Sequence, residues 1–269
     1  MQSAEIKNLL RKYDIRPSKR LGQNFLVDKN VLEKIIEAAN ISLDDIILEI
    51  GPGLGILTLE LAKFAKKVIA IEKDRALCQI LKIILKDYKN IEIIHADILK
   101  IASPQLKNYK IVANLPYYIT SPVIRKFLEA ECKPEIMILM VQKEVAQRIC
   151  AKPPHMNLLA VAVQFYAGPA SPAGGPKIIS YVSKNSFWPK PKVDSAIIRI
   201  VPAQTNEKIN REQFFKIVKA GFSSKRKMLK NNLKIDGSVL TKSGLDPKIR
   251  AENLSIENWI KLYEEIYKK

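Results

Sequence analysis

Asn114, Leu115, Pro116 and Tyr117 stand together in the order that could turn the exocyclic amine of a nucleobase into a nucleophile. Such an amine is weak because its lone pair is delocalised into the ring. The side-chain oxygen of Asn114 and the main-chain carbonyl of Leu115 can accept both of its hydrogens, favouring the pyramidal nitrogen and stabilising the positive charge that develops on it. Pro116 restrains the chain to an extended path, and Tyr117 offers a ring on which the base can stack. An Asn-x-Pro turn after an apolar run such as Ile111, Val112 and Ala113 is also ordinary turn chemistry, so the motif needs a second one beside it.

The second motif lies upstream. Residues 46–50 read as a buried strand and run directly into Gly51, Gly53 and Gly55, followed by the helical spacing of Ile56, Leu57, Leu59, Leu61, Ala62 and Phe64. Glycines at a strand-to-helix turn let backbone amides approach a ligand closely. Ile56 stands where the dinucleotide fingerprint has its third glycine, so the spacing does not favour a pyrophosphate. Glu72 closes the next strand about 20 residues on, where an acidic side chain reaches ribose hydroxyls. Asp97, after a third strand, would face an adenine edge. Singly, either acid could be a helix cap or a solvated carboxylate. The ordered series Glu49, Gly51, Gly53, Glu72, Asp97 and Asn114 at successive strand ends argues for a nucleoside cofactor, because ligands of open α/β sheets bind outside the carboxyl ends of the strands. A nucleoside cofactor beside a base site implies group transfer to a base.

These groups need a frame, and the apolar runs supply it. Runs at 46–50, 67–71, 91–95, 110–113 and 136–141 alternate with amphipathic segments, which specifies an α/β fold with a parallel sheet covered on both faces. Asp28 is placed to cap a helix over 31–39. Runs at 177–182 and 195–201 have a short connection and suit an antiparallel pair at one end. Before the sheet comes a basic arm, residues 1–28, with Lys7, Arg11, Lys12, Arg16, Lys19 and Arg20. After Pro202 the spacing of Phe214, Phe215, Ile217 and Val218 is helical, and Lys225, Arg226, Lys227 and Lys230 give that segment a basic face suited to nucleic acid. The division expected is therefore 1–203 for the sheet domain and 204–269 for a small helical, RNA-binding one.

Composition sets bounds. A chain of 269 residues with 47% hydrophobic content can bury a sizeable core. No run approaches 18 apolar residues, and the first residues have no signal-peptide core, so a cytoplasmic protein without a membrane span is expected. Cys78, Cys132 and Cys150 have no metal-ligand spacing and read as buried free thiols; with His95 and His155 the only histidines, no metal site is expected. The net charge of +18 suits a polyanionic partner, since counterion release would then contribute to affinity.

At this level of detail the chain resembles the small-subunit (16S) ribosomal RNA adenine N6,N6-dimethyltransferases of the KsgA type. The resemblance spans nearly the whole chain. It is carried by Leu21-Gly22-Gln23-Asn24-Phe25-Leu26, by the glycine loop ending at Gly55, and by Asn114-Leu115-Pro116-Tyr117-Tyr118-Ile119-Thr120-Ser121-Pro122. Val141-Gln142-Lys143-Glu144, Phe187-Trp188-Pro189-Lys190-Pro191-Lys192-Val193-Asp194-Ser195, and Phe222-Ser223-Ser224-Lys225-Arg226-Lys227 with Asn231-Asn232-Leu233 carry it further. It implies a Rossmann-like methyltransferase sheet with a small C-terminal helical domain, and S-adenosyl-L-methionine as cofactor. The cofactor would be held by Gln23, Asn24, Leu26, Gly51, Gly53, Glu72, Asp97 and Asn114. It also implies catalysis by Asn114, Leu115, Pro116 and Tyr117 with Phe187 over the other face of the target adenine. The partner implied is small-subunit ribosomal RNA or its precursor particle, bound through Lys225, Arg226, Lys227 and Lys230 by a monomer. Two stretches depart from the family pattern: residues 151–157 are shorter than usual, and the Pro/Gly-rich tract at 168–176 is longer. A sister family acting on large-subunit RNA shares an Asn-x-Pro-Tyr loop; Leu115 and the signature at 222–233 favour the small-subunit enzymes. A non-catalytic RNA-binding factor on the same fold would have no need of Glu72, Asp97 and Asn114 together. A DNA adenine methyltransferase would need a target-recognition domain, for which the chain shows no segment.

Overall fold

The computed structural model describes residues 8, 10–103, 105–170, 174–203 and 209–268. Lys7 of the basic arm, residues 171–173 of the Pro/Gly-rich tract and residues 204–208 at the expected domain boundary lie outside them. The chain divides into two compact units, residues 1–146 with 178–201, and residues 147–177 with 202–269.

The first unit is built on a seven-stranded sheet. Its strands are β2 (Ile46–Ile50), β3 (Lys67–Glu72), β4 (Ile91–His95), β5 (Tyr109–Asn114), β6 (Ile136–Gln142), β7 (Lys177–Val182) and β9 (Ser195–Ile200), in the spatial order β4-β3-β2-β5-β6-β9-β7. β2 pairs in parallel with β3 and with β5, and β3 with β4; β5 pairs in parallel with β6. Parallel strands buried on both faces need unbroken apolar runs rather than alternation, and Ile47, Leu48, Val68, Ala70, Ile111, Val112, Met137 and Leu139 are all fully buried. β9 reverses direction against β6, with Ser195 opposite Gln142 and Ile200 opposite Met137.

The helices of this unit include α1 (Lys29–Ala39), α2 (Ile56–Ala62), α3 (Arg75–Ile84) and α4 (Thr120–Leu128). Asp28 caps α1 as its position suggests, accepting from the Asn30 N–H, and its other oxygen accepts from the Ser186 hydroxyl. α3 begins the same way, with Asp74 accepting from the amides of Ala76 and Leu77. A second, two-stranded sheet joins β1 (Phe25–Leu26) antiparallel to β8 (Phe187–Trp188). The strand order reverses between β2 and β5, and at such a switch point the loops leave the sheet in opposite directions and open a crevice.

The second unit contains α6 (Leu158–Ala167), α7 (Arg211–Gly221), α8 (Leu229–Leu233), α9 (Gly237–Lys242) and α10 (Ile256–Ile266). The boundary between the units falls within α5 (Lys143–Ile149). The units differ from the division at 203 in one segment, because residues 147–177 group with the C-terminal helices. The reason is aromatic. Phe165 packs against Phe214 at 4.6 Å and Phe215 at 5.2 Å between ring centroids, so α6 is bound to α7. Trp259 of α10 is fully buried, and a Cβ on Gly221 would collide with its ring. The cysteines are free; Cys78 is buried, as expected, whereas Cys132 and Cys150 are only half-buried.

Candidate functional site

One pocket at the carboxyl edge of β2, β3 and β5 collects every residue expected to touch cofactor or target base. Gln23, Asn24, Leu26, Gly51, Gly53, Glu72, Asp97, Asn114, Leu115, Pro116, Tyr117 and Phe187 all line it. It lies wholly within the first unit.

The floor of the pocket is the turn after β2. Gly51 and Gly53 have φ of 69° and 62°, where a side chain is strained, and at Gly53 a Cβ would also stand 3.1 Å from the Phe25 ring, so that the ring would have to give way. The Gly53 amide donates to Glu72 Oε2 at 3.1 Å, and the Asp74 amide to Oε1 at 2.8 Å. Glu72 thus ties the end of β3 to the glycine turn. Burial raises its carboxyl above the ordinary range, and the amides of Asp74, Gly53 and Lys73 pull the other way.

Glu49, one residue before the end of β2, is 1% exposed, and its Oε2 has no hydrogen-bond partner. Burial, with a smaller contribution from the Glu72 charge, pushes its carboxyl up to about 8; the nearby Thr58 hydroxyl is also buried and forms no hydrogen bond. Glu49 lines the pocket too. A buried acid with a free oxygen suits a cationic ligand group.

On the other side of the floor, Asp97 pairs with Lys73 at 2.9 Å and accepts from the Leu99 amide at 3.0 Å. The Lys73 ammonium holds its carboxyl below the ordinary range, so Asp97 is an acceptor only.

Another part of the lining is the turn after β5. The side-chain nitrogen of Asn114 donates to the Asn24 carbonyl at 3.2 Å, which leaves its oxygen as the group free to accept. Asn24 is held in turn by its side-chain nitrogen, which donates to the Gly22 carbonyl at 3.0 Å. The Leu115 amide donates to the Met140 carbonyl at 3.2 Å, which ties this turn to β6. Tyr117 shares a 2.7 Å hydrogen bond between its hydroxyl and Ser195 Oγ, and burial raises its phenol above the ordinary range. Phe187 is buried on β8, opposite Leu26 of β1.

Gln23 lines the pocket but spends its side chain internally. Its nitrogen donates to Asp74 Oδ2 at 2.8 Å, and its oxygen accepts from the Ser18 amide at 2.7 Å. The bond to Asp74 crosses 51 positions of sequence, and nothing in the spacing announces it. Lys73, Asp74, Phe25 and Ser195 are structural partners of the site that sequence reasoning did not single out. Asp74 had a signal, a helix-capping position two residues after Glu72.

Lys225, Arg226 and Lys227 lie in the second unit, exposed on the turn between α7 and α8, and Lys230 is half-buried on α8. Asn232 shapes that turn, its side-chain nitrogen donating to the carbonyls of Gly221 at 2.6 Å and Ser224 at 2.9 Å. Among the described residues no group of acids, cysteines and histidines could hold a metal ion, and no helix is long and apolar enough to cross a membrane.

The family model described as Ribosomal RNA adenine dimethylase matches residues 16–268. Ribosomal RNA small subunit methyltransferase A of Dehalococcoides mccartyi is 45% identical over 273 residues, covering 96% of this chain and 91% of the relative. The protein of the same name from Clostridium botulinum is 44% identical, covering 97% and 98%. Among solved structures, a dimethyladenosine transferase from Plasmodium falciparum superposes with a TM-score of 0.77 at 29% identity, over 91% of this chain and 98% of that one. The 23S rRNA methyltransferase ErmE gives 0.74 at 27% identity, over 90% and 99%.

Proposed function

This chain belongs to the ribosomal RNA adenine dimethylase family, and on that premise we propose that it transfers methyl groups from S-adenosyl-L-methionine to the N6 amine of adjacent adenosines near the 3′ end of small-subunit (16S) ribosomal RNA. The product is N6,N6-dimethyladenosine, formed during ribosome biogenesis. The same proposal has the protein acting as a cytoplasmic monomer on the RNA or its precursor particle.

The pocket fits the cofactor by its donor set. Gly53 leaves backbone where a side chain would intrude, Glu72 presents a buried carboxylate for ribose hydroxyls, and Asp97 can only accept, as an adenine amine requires. The unpaired oxygen of Glu49 suits the ammonium of the methionyl part. When bound, the cofactor supplies an electrophilic sulfonium methyl. Leu26 closes the wall, while Gln23 acts by positioning, since its side chain joins Ser18 to Asp74.

Asn114 carries the reading. Its nitrogen is committed to Asn24, so its oxygen, with the Leu115 carbonyl, accepts the hydrogens of the target amine. That interaction strengthens as the nitrogen pyramidalises, so it favours the transition state over the ground state without a strong general base. Pro116 keeps the two acceptors on one side of the turn. Tyr117, pinned by Ser195, and Phe187 flank a base taken out of its stack, each stacking contact contributing roughly 1–3 kcal/mol. Lys225, Arg226, Lys227 and Lys230 bind RNA phosphates.

The test is transfer of labelled methyl from S-adenosylmethionine to small-subunit particles lacking the modification, with nuclease digestion to identify the product. Large-subunit RNA serves as the parallel arm. Dimethyladenosine in the small-subunit arm is expected, and label confined to the large-subunit arm would transfer the assignment to the sister activity. Asn114→Ala should lower single-turnover transfer by about two orders of magnitude with RNA affinity nearly unchanged. Transfer at the parent rate refutes the mechanism.

A further inference from the structure

Tyr181 is an aromatic side chain that the site above does not use. It is 53% exposed on β7, the strand at one end of the sheet, with Ile179 exposed two residues before it on the same face. Lys143, exposed at the start of α5, holds its ammonium 5.1 Å from the centre of the Tyr181 ring. The Lys143 amide donates to the Asp194 carbonyl at 3.0 Å, and Asp194 Oδ1 accepts from the Lys184 amide. The next residue, Ser195, binds the hydroxyl of Tyr117 at 2.7 Å. One dipeptide therefore anchors both the tyrosine beside the target base and the lysine over Tyr181.

We propose that Tyr181 and Lys143 form a platform for the nucleotide next to the target adenosine on the same RNA strand, its base stacking on the Tyr181 ring and its phosphate pairing with the Lys143 ammonium. An exposed ring beside a cation is the pairing that unpaired nucleotides use: the ring stacks on any base, and the charge meets the backbone. Extruding one adenosine leaves its neighbour unstacked on that side, and a surface ring replaces the lost contact. The net charge of +18 and the exposed Lys190 and Lys192 in the loop before Asp194 favour RNA over a protein partner.

The inference rests on RNA adenine methylation as the activity, so the experiment first records methyl transfer by the parent protein to unmodified particles and to a short RNA hairpin. Tyr181→Ala should raise KM for both substrates about ten-fold or more, the loss of one base–aromatic stack, with kcat and S-adenosylmethionine affinity unchanged. Tyr181→Phe, which keeps the ring, should stay within about twofold. Lys143→Gln should raise KM and flatten its dependence on salt. A hairpin with 2-aminopurine beside the target should lose fluorescence on binding the parent and not on binding Tyr181→Ala. No transfer by the parent would defeat the functional assignment itself. Transfer by the parent together with an unchanged KM and undiminished quenching in Tyr181→Ala overturns the platform alone.

Discussion

Glu49 should make cofactor binding proton-linked, and its size follows from its surroundings. The carboxyl is fully buried beside Glu72, its Oε2 has no partner, and its pKa is pushed from 4.5 to about 8. At pH 7 a group with that pKa is roughly nine-tenths protonated in the ligand-free protein. A ligand ammonium against Oε2 favours the ionised form, so binding at pH 7 should release close to one proton, and affinity should rise about tenfold per pH unit between roughly pH 5 and 7. The ligand's own amine stays protonated below about pH 7.7, so that window reports on the protein. For folding, the native value lies above the unfolded one. Glu49 therefore contributes stability that is fully present below pH 4.5 and lost as pH rises through about 8. At about 1.4 kcal/mol per unit the loss is about 4–5 kcal/mol in the absence of ligand. Calorimetry with S-adenosylmethionine in buffers of different ionisation enthalpy counts the protons, and thermal unfolding against pH follows stability. Glu49→Gln should abolish the proton release and flatten both profiles. A buffer-independent enthalpy with pH-independent affinity in the parent would refute the linkage.

Glu72→Ala should weaken S-adenosylmethionine binding by roughly 1–3 kcal/mol, because it removes the ribose acceptor and the anchor of the Gly53 and Asp74 amides; calorimetry on folded protein with parent affinity would remove Glu72 from the site. Neutralising Lys225, Arg226 and Lys227 should lower RNA affinity and flatten its salt dependence by roughly two to three units of slope, leaving cofactor affinity alone. An unaltered slope would show that the exposed turn is merely solvated. Gly221→Ala places a methyl against the Trp259 ring and 2.9 Å from Leu229 Cδ1, so thermal unfolding should report a loss of about 1–3 kcal/mol; an unchanged melting temperature would mean that Trp259 can yield.

Much of this arrangement is legible in the chain, for physical reasons that differ by element. β2, β3 and β5 are recognisable because strands covered on both faces must be largely apolar, and a polar residue at or next to the end of each, Glu49, Glu72 and Asn114, then marks one edge of the sheet. Glu72, Asp97 and Asn114 fall where that logic puts them. The pairing of β1 with β8 is not legible, since two-residue strands carry no periodicity and their partners are remote in sequence. Helix α6 is apolar almost all round, so its pattern shows that it is buried but not against what; Phe165 and Tyr166 meeting Phe214 and Phe215 settle its grouping. The isolated oxygen of Glu49 is equally silent in sequence, because a lack of partners is a property of the packed interior.

The reversed direction of β9 has a consequence for how such a site can diversify. A parallel strand arrives at the ligand edge only with its last residue, so changing what it presents means remodelling the loop that must then carry the chain away. β9 begins at that edge, with Ser195 level with Gln142 and already in contact with Tyr117. The stretch ahead of Asp194 can therefore lengthen, shorten or change charge while Asp194 keeps its bonds to Lys143 and Lys184 and the register from Ser195 to Ile200 stays fixed. Variation ahead of β9 is thereby uncoupled from its pairing with β6, whereas a change at Ser195 itself is felt by Tyr117 at once.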